Sequence, residues 1–191
     1  MPITRRLALC LPVLLAACGD DGPTRRDFPP LQYGHLTPLR LNVASVSLAD
    51  PPPPGPLDAQ SPAPAGQALQ RMAGDRLSAG GSAGSAVFTI DEAVIARVPG
   101  GLAGTLAVHL DVLTSAGGRS GFAEARVSRR AVGGSPDLQT ALYEITRQMM
   151  DDMNVEFEFQ VRRSLREWLQ EATTAPAPAP VERQELSAPG T

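Results

Sequence analysis

Proline decides where this chain can form regular structure. It has 19 prolines in 191 residues, and they cluster. Proline fixes φ and donates no backbone hydrogen bond, so runs of it exclude sheet ladders and helix interiors. Residues 49–65 hold Pro51-Pro52-Pro53-Pro54, Pro56, Pro62 and Pro64, and read as an extended polyproline-like loop. Residues 18–38 lack an apolar period and read as a tether. Residues 172–191 (ATTAPAPAPVERQELSAPGT) read as a disordered tail. The stretches that remain, 39–48 and 66–171, amount to about 115 residues, enough for one modest core.

Periodicity assigns the elements. Leu39-Arg40-Leu41-Asn42-Val43 alternates as a half-buried strand does, and Val46 and Leu48 resume on the other phase. A bulge at Ala44-Ser45 would keep one strand over 39–48. Gly66 to Ala79 reads as a helix with Leu69, Met72, Ala73 and Leu77 on one stripe, stopped by Gly80-Gly81. Ser85 to Val98 is a long strand whose inner face is expected to hold Ala86, Phe88, Ile90, Val94, Ala96 and Val98. After Pro99-Gly100-Gly101, the strand Leu102–Thr114 puts Leu102, Leu106, Val108, Leu110 and Val112 on one face. A three-residue loop there pairs Val98 with Leu102, Val94 with Leu106 and Ile90 with Leu110. Gly117-Gly118 marks a second hairpin, followed by a strand over Ser120–Val132 with Ala123, Ala125 and Val127 inward.

Ser135-Pro136-Asp137 is a helix start, with a capping residue, a proline suited to the first position and an acid at the positive end of the dipole. No Gly or Pro then interrupts the chain until Pro176. Leu138, Leu142, Ile145, Met149, Met153, Phe157, Val161, Leu165 and Trp168 recur every three or four residues, giving one long C-terminal helix with a bend expected near Asp151-Asp152. Val155 to Val161 also alternates, so a strand competes there; the longer period through both flanks favours helix. The expected fold is α+β, in the order β-α-β-β-β-α. It is an antiparallel four-stranded sheet with both helices on its apolar face, forming a single domain over 39–171. The other face, with Thr105, His109, Asp111, Glu124 and Arg126, is left for water or a partner.

The formal net charge is −3, and all 17 basic residues are arginine. A mildly acidic chain is a poor nucleic-acid binder, because phosphates demand a basic face. No catalytic, metal-binding or cofactor-binding residue is assigned. Gly80-Gly81-Ser82-Ala83-Gly84 matches GxSxG, but that motif needs a strand-to-helix elbow and here the order is helix to strand. His109 with Asp111, Glu124 and Arg126 is a loose set that reads as a solvated ion-pair cluster rather than a zinc site. Glu92 would fall on the apolar face opposite Val108, and a bulge at Asp91-Glu92 turning both outward is the cheaper arrangement. Arg162, Arg163 and Arg166 with Glu158 and Glu167 read as a solvated helix face. Asp151-Asp152 with Asn154 lacks the glycine and terminal glutamate of a calcium loop.

The N-terminus carries the strongest functional signal. Arg5 and Arg6 precede the apolar run Leu7–Leu15, which is too short to span a bilayer that needs about 20 apolar residues. Leu15-Ala16-Ala17-Cys18-Gly19 follows and resembles the lipobox of bacterial lipoproteins. That resemblance implies cleavage of a signal peptide, residues 1–17, and a thioether-linked diacylglycerol on Cys18, usually with a third acyl chain on its amine. Two or more chains hold stably, since each buried methylene contributes about 0.8 kcal/mol. Of the two cysteines, Cys10 leaves with the signal, so the mature domain has no disulfide and must hold by its core. Gly19 after the cysteine, by lipoprotein sorting habit, favours the outer membrane.

The pieces LRLNVASVSL, GDRLSAGGSAGSAVFTIDEA, GFAEARVSR and LYEITRQMMDDMNVEFEFQVRRSLREWL resemble a family of uncharacterised cell-envelope lipoproteins, chiefly alphaproteobacterial, across most of residues 39–170. The element order is also similar to small lipoproteins that serve envelope lipid-transport systems. The expectation is a non-enzymatic, lipid-anchored structural or interaction module with a protein partner in the envelope. The alternative is an auxiliary subunit of a lipid or solute transporter.

Overall fold

The computed structural model describes residues 27–133, 135 and 137–170. The expected signal peptide, Cys10, Cys18 and the tail 172–191 lie outside these residues. The elements are β1 (Leu39–Leu41), β2 (Ser45–Leu48), α1 (Ala65–Arg76), β3 (Leu77–Ala79), β4 (Ser85–Val98), β5 (Gly101–Leu113), β6 (Arg119–Val132) and α2 (Leu138–Ser164). The class is α+β with two helices, but the four-stranded sheet is mixed rather than antiparallel. Its order is β2-β4-β5-β6, with β2 parallel to β4. The link from β2 to β4 runs through the proline loop, α1 and β3, the long crossover that parallel neighbours require. A second, two-stranded sheet pairs β1 with β3, also in parallel.

The expected strand over 39–48 is therefore two strands in two sheets. Between them Asn42 N–H donates to the Trp168 carbonyl at 2.7 Å and Ala44 N–H to Gly84 at 3.1 Å, so the backbone turns from one ladder to the next. The helix expected to reach Ala79 stops at Arg76, because Leu77 is already extended and pairs with Leu39. Gly80 and Gly81 serve that pairing rather than a helix cap. Gly81 N–H donates to the Val43 carbonyl at 2.9 Å, and a Cβ on Gly81 would lie 2.6 Å from the Asn42 carbonyl carbon.

The meander has its expected strands, in a different register. A two-residue turn at Pro99-Gly100, with Gly100 at φ +83, sets Val98 opposite Gly101 and Val94 opposite Thr105. A bulge between Ile90 and Glu92 sets Ile90 opposite Val108. The inner face of β4 consequently holds Ala86, Phe88 and Ile90 before the bulge and Ala93 and Ile95 after it. Val94, expected inward, is 37% exposed, and Ala96 and Val98 share its side. The β5 and β6 inner faces hold the expected residues.

Asp137 caps α2 by accepting from Thr140 N–H at 2.9 Å. The helix runs unbroken through Asp151-Asp152 and excludes the competing strand: Phe157 and Val161 are fully buried while Val155 and Phe159 face solvent. It ends at Ser164, short of the expected Trp168. A 3-10 turn over Arg166–Trp168 then returns the chain to β1, where Leu169 bridges Leu41 and Gln170 N–H donates to the Arg40 carbonyl at 2.8 Å. Both helices pack on one sheet face, α1 on β4 and α2 on β5 and β6. Phe88 meets Phe157 edge to face there, with centroids 5.6 Å apart.

Residues 27–38 are not a free tether. Tyr33 is 5% exposed and joins the core, and its N–H donates to Asp75 at 2.8 Å. Phe28 stacks on Tyr143, whose hydroxyl donates to the Pro29 carbonyl at 2.9 Å. This strap passes alongside α2 from Tyr143 towards Val155, where Leu36 and His35 border it. Among the described residues no helix is long and apolar enough to cross a membrane.

Candidate functional site

The chemistry-bearing side chains gather on the sheet face away from the helices. The bulge at Asp91 puts two successive acids there, as expected. Glu92 receives Arg126 at 2.8 Å, and this ion pair lies across Ala107, which is only 1% exposed despite facing outward. Asp91 reaches His109, with Nδ1 at 2.8 Å. The other ring nitrogen of His109 is 3.6 Å from Asp111, which Arg119 holds at 2.7 Å. Phe122 lies under both: its ring is 5.6 Å from the His109 ring and 5.1 Å from the Arg119 guanidinium carbon. Thr105 and Ser128 meet at 3.3 Å further along.

This arrangement binds charges to one another rather than to a common point. The nitrogens of His109 face different carboxylates on opposite sides of the ring, so Asp91 and Asp111 do not converge on one cation position. Glu124 sits opposite His109 in the ladder but makes no ion pair among the described residues. No group of three or more His, Cys, Asp or Glu could hold a metal ion among the described residues. Solvated pairs of this kind contribute under about 1 kcal/mol each.

Ser82 lies exposed in the turn between β3 and β4. It borders a shallow hollow of about 290 Å³ with Asn42, Thr114, Ser115 and Trp168, and neither histidine lines it. The local order is strand, turn, strand, which does not supply the elbow of a serine hydrolase. The Asp151-Asp152-Asn154 group diverges: Asp151 pairs with Arg147 at 3.1 Å, Asp152 with Arg129 at 2.6 Å, and Asn154 is buried.

The sequence reading missed one charged cluster. Arg76 is 1% exposed between the helices and pairs with Glu158, which also takes Arg162 at 2.8 Å. Burial alone would raise the Glu158 carboxyl, but hydrogen bonds from Arg162 and Arg76 and their charges hold it below the usual glutamate value. Tyr33, beside this cluster, has its phenol pushed far upward by burial and by the Asp151 charge. The missed signal was positional: Arg76 falls seven residues after Leu69, on the buried stripe of α1. These contacts join α1 to α2, and a hollow of about 200 Å³ lined by Tyr33, His35, Arg147, Asp151 and Asn154 lies beside them.

The chain matches no protein-family model and no curated protein.

Proposed function

We propose that this chain is a non-enzymatic, lipid-anchored lipoprotein of the cell envelope. Cys18 holds it to a leaflet, facing the periplasm and by sorting habit on the outer membrane, and the α+β domain presents a docking surface to an envelope protein. The observation that carries the anchor is Arg5-Arg6, the short apolar run and Leu15-Ala16-Ala17-Cys18 in that order. The open sheet face supports the docking role. It displays Phe122, 39% exposed, on the edge strand β6, with the charges of His109, Asp111 and Arg119 beside it and the Glu92–Arg126 pair further along the strand. Exposed aromatic side chains are enriched in protein interfaces relative to the rest of the surface.

Intact-mass analysis of native protein tests the anchor. The expected mass is that of the chain from Cys18 with diacylglycerol and an amide-linked acyl chain, and globomycin should leave an uncleaved precursor. An unmodified Cys18 overturns the reading. Crosslinking in intact cells from a photoreactive residue at position 122 tests the docking face. A discrete envelope protein is expected, and capture of a transporter complex would favour the auxiliary-subunit alternative. Absence of any adduct from position 122, with adducts from other surfaces, overturns the assignment of that face.

A further inference from the structure

β6 closes one side of the four-stranded sheet, and its outer edge has no neighbouring strand among the described residues. It runs for 14 residues without a proline. Edge strands are ordinarily short or interrupted, because their unpaired N–H and C=O groups invite a further strand. The ladder to β5 tells which residues carry those groups. Gly133 N–H donates to the Gly100 carbonyl at 3.2 Å, and the register continues from Leu102 opposite Ala131 to Leu110 opposite Ala123. Bonded and non-bonded pairs alternate in an antiparallel ladder, so the odd-numbered residues of β6 bond β5. The even-numbered residues from Phe122 to Val132 turn their N–H and C=O to the outer edge, and their side chains stand exposed on the open face.

Those side chains complement a second copy of themselves. Phe122 is 39% exposed and Val132 70%. Glu124 and Arg130 are exposed, and neither has an ion-pair partner among the described residues. In an antiparallel pairing with a two-fold axis at Val127, Phe122 falls opposite the second copy's Val132, Glu124 opposite its Arg130 and Arg126 opposite its Ser128, each twice by symmetry. Aromatic with β-branched and acid with base are favourable cross-strand pairs. An axis at Arg126 sets that arginine against itself, and an axis at Ser128 sets Arg126 against Arg130, so both neighbouring registers oppose like charges. An axis at Ala125 brings Glu124 to Arg126, which Glu92 already holds, and leaves Val132 beyond the end of the other strand. With the axis at Val127 the charges along the seam balance, Glu92 and Glu124 against Arg126 and Arg130 in each copy. The helix side of the edge is not sealed either: Val127, Arg129 and Ala131 are only half-buried under α2, and the axis sets Val127 beside its own copy.

We propose that two copies of this chain pair through β6, antiparallel about a two-fold axis at Val127, so that their four-stranded sheets join into one of eight strands. About twelve backbone hydrogen bonds form across the seam, two for each opposed pair of even-numbered residues. The pairing does not depend on the lipid anchor. It widens the docking face rather than covering it, because Phe122 and Val132 meet side by side on that face.

The test is the mass of the full chain, purified in detergent, by sedimentation equilibrium. A dimer is expected. Glu124→Arg and Arg130→Glu should each weaken it about tenfold, since each variant opposes like charges at two symmetric places. Combining the two substitutions should restore the wild-type dissociation constant, which a merely structural defect would not allow. Oxidation reads the register. Val127→Cys should give an interchain disulfide, because opposite non-bonded residues stand about 4.5 Å apart at Cα. Ser128→Cys, offset from its own copy along the strand by about 7–8 Å or more, should not. Both are read as the crosslinked band gained over the wild-type chain. A chain that stays monomeric at every concentration overturns the inference. So does a dimer indifferent to both charge reversals, or one that links through Ser128→Cys and not through Val127→Cys. These outcomes leave the acylation of Cys18 untouched, so this inference and the anchor fail separately.

Discussion

Arg76 grips Asn154 twice: Nη1 donates to the Asn154 backbone carbonyl at 3.1 Å and to its side-chain Oδ1 at 3.2 Å. The residues are 78 positions apart, at the end of α1 and the middle of α2. The second amino group donates to the Thr37 carbonyl at 3.1 Å and to Glu158. One guanidinium thus joins α1, α2 and the strap. Its five donors in a fixed planar fork suit that task as an ammonium would not. Asn154 Nδ2 in turn donates to the Met150 carbonyl at 2.7 Å, which fixes the amide orientation that Arg76 meets.

Replacing Arg76 should therefore cost more than any surface charge. Arg76→Met fills the space but leaves Asn154 Oδ1, the Thr37 carbonyl and part of Glu158 without their donor. A loss of about 3 kcal/mol is expected, read as a lowered midpoint in urea followed by circular dichroism. Arg76→Lys should recover less than half, since one ammonium cannot span the three partners. A variant as stable as the wild type would show that these contacts do not hold the helices together.

Glu158 makes stability depend on pH in one direction. Its folded carboxyl binds a proton less readily than an unperturbed glutamate at 4.5, so the unfolded chain takes up more protons in acid. Its contribution is complete above pH 4.5 and declines as pH falls below that through the lowered folded value. Denaturation midpoints of wild type and Glu158→Gln, compared from pH 7 down to about 3, should converge as acid removes the wild-type advantage. Parallel curves would refute the assignment.

Two glycines should differ in what they tolerate. A Cβ on Gly101 would overlap the carbonyl oxygen of Ala131 and stand 3.2 Å from Val132 Cα, all rigid β6 backbone. Gly101→Ala should cost about 3 kcal/mol, because β5 and β6 must part. Gly117, at φ +83, has nothing within 4 Å of such a Cβ. Gly117→Ala should cost only the conformational strain, about 1 kcal/mol. Thermal unfolding of both variants checks the order.

The His109 cluster should matter little to folding. Asp91 and His109 are partly solvated, and exposed ion pairs contribute between about 0 and 1 kcal/mol. His109→Ala and Asp91→Asn should each shift stability by under about 1 kcal/mol. If the open face docks a partner, the same substitutions should weaken the crosslink from position 122 several-fold without changing the melting temperature. A large loss of stability instead would make the cluster structural.

Long periodic stretches were legible in the sequence, and short ones were not. β4, β5, β6 and α2 are each long enough to repeat their period several times, and the outward turn at Asp91-Glu92 followed from the cost of burying a carboxylate. β1 alternates in the sequence but reads there as one strand with β2; β3 has three residues, too few to show alternation, and the pairing of the two depends on the close approach at Gly81. β3 also hides at the end of a helical stripe, where Leu77 fits either period. The strap lacked a period because Phe28, Leu31, Tyr33 and Leu36 each fill a separate gap against the helices. In the candidate site, His109 and Asp111 were found on one strand face. Asp91 was missed as the partner of His109 because the bulge that brings it there also removes it from simple alternation.

That bulge carries one more implication. Remove Asp91 and β4 reads as an unbroken alternation: Ile90 in, Glu92 out, Ala93 in, Val94 out, Ile95 in. Packing has no use for the extra residue, since every buried neighbour keeps its side without it. A one-codon deletion at position 91 would leave the hydrophobic layer intact, straighten the strand and take from the outer surface only the carboxylate that faces His109.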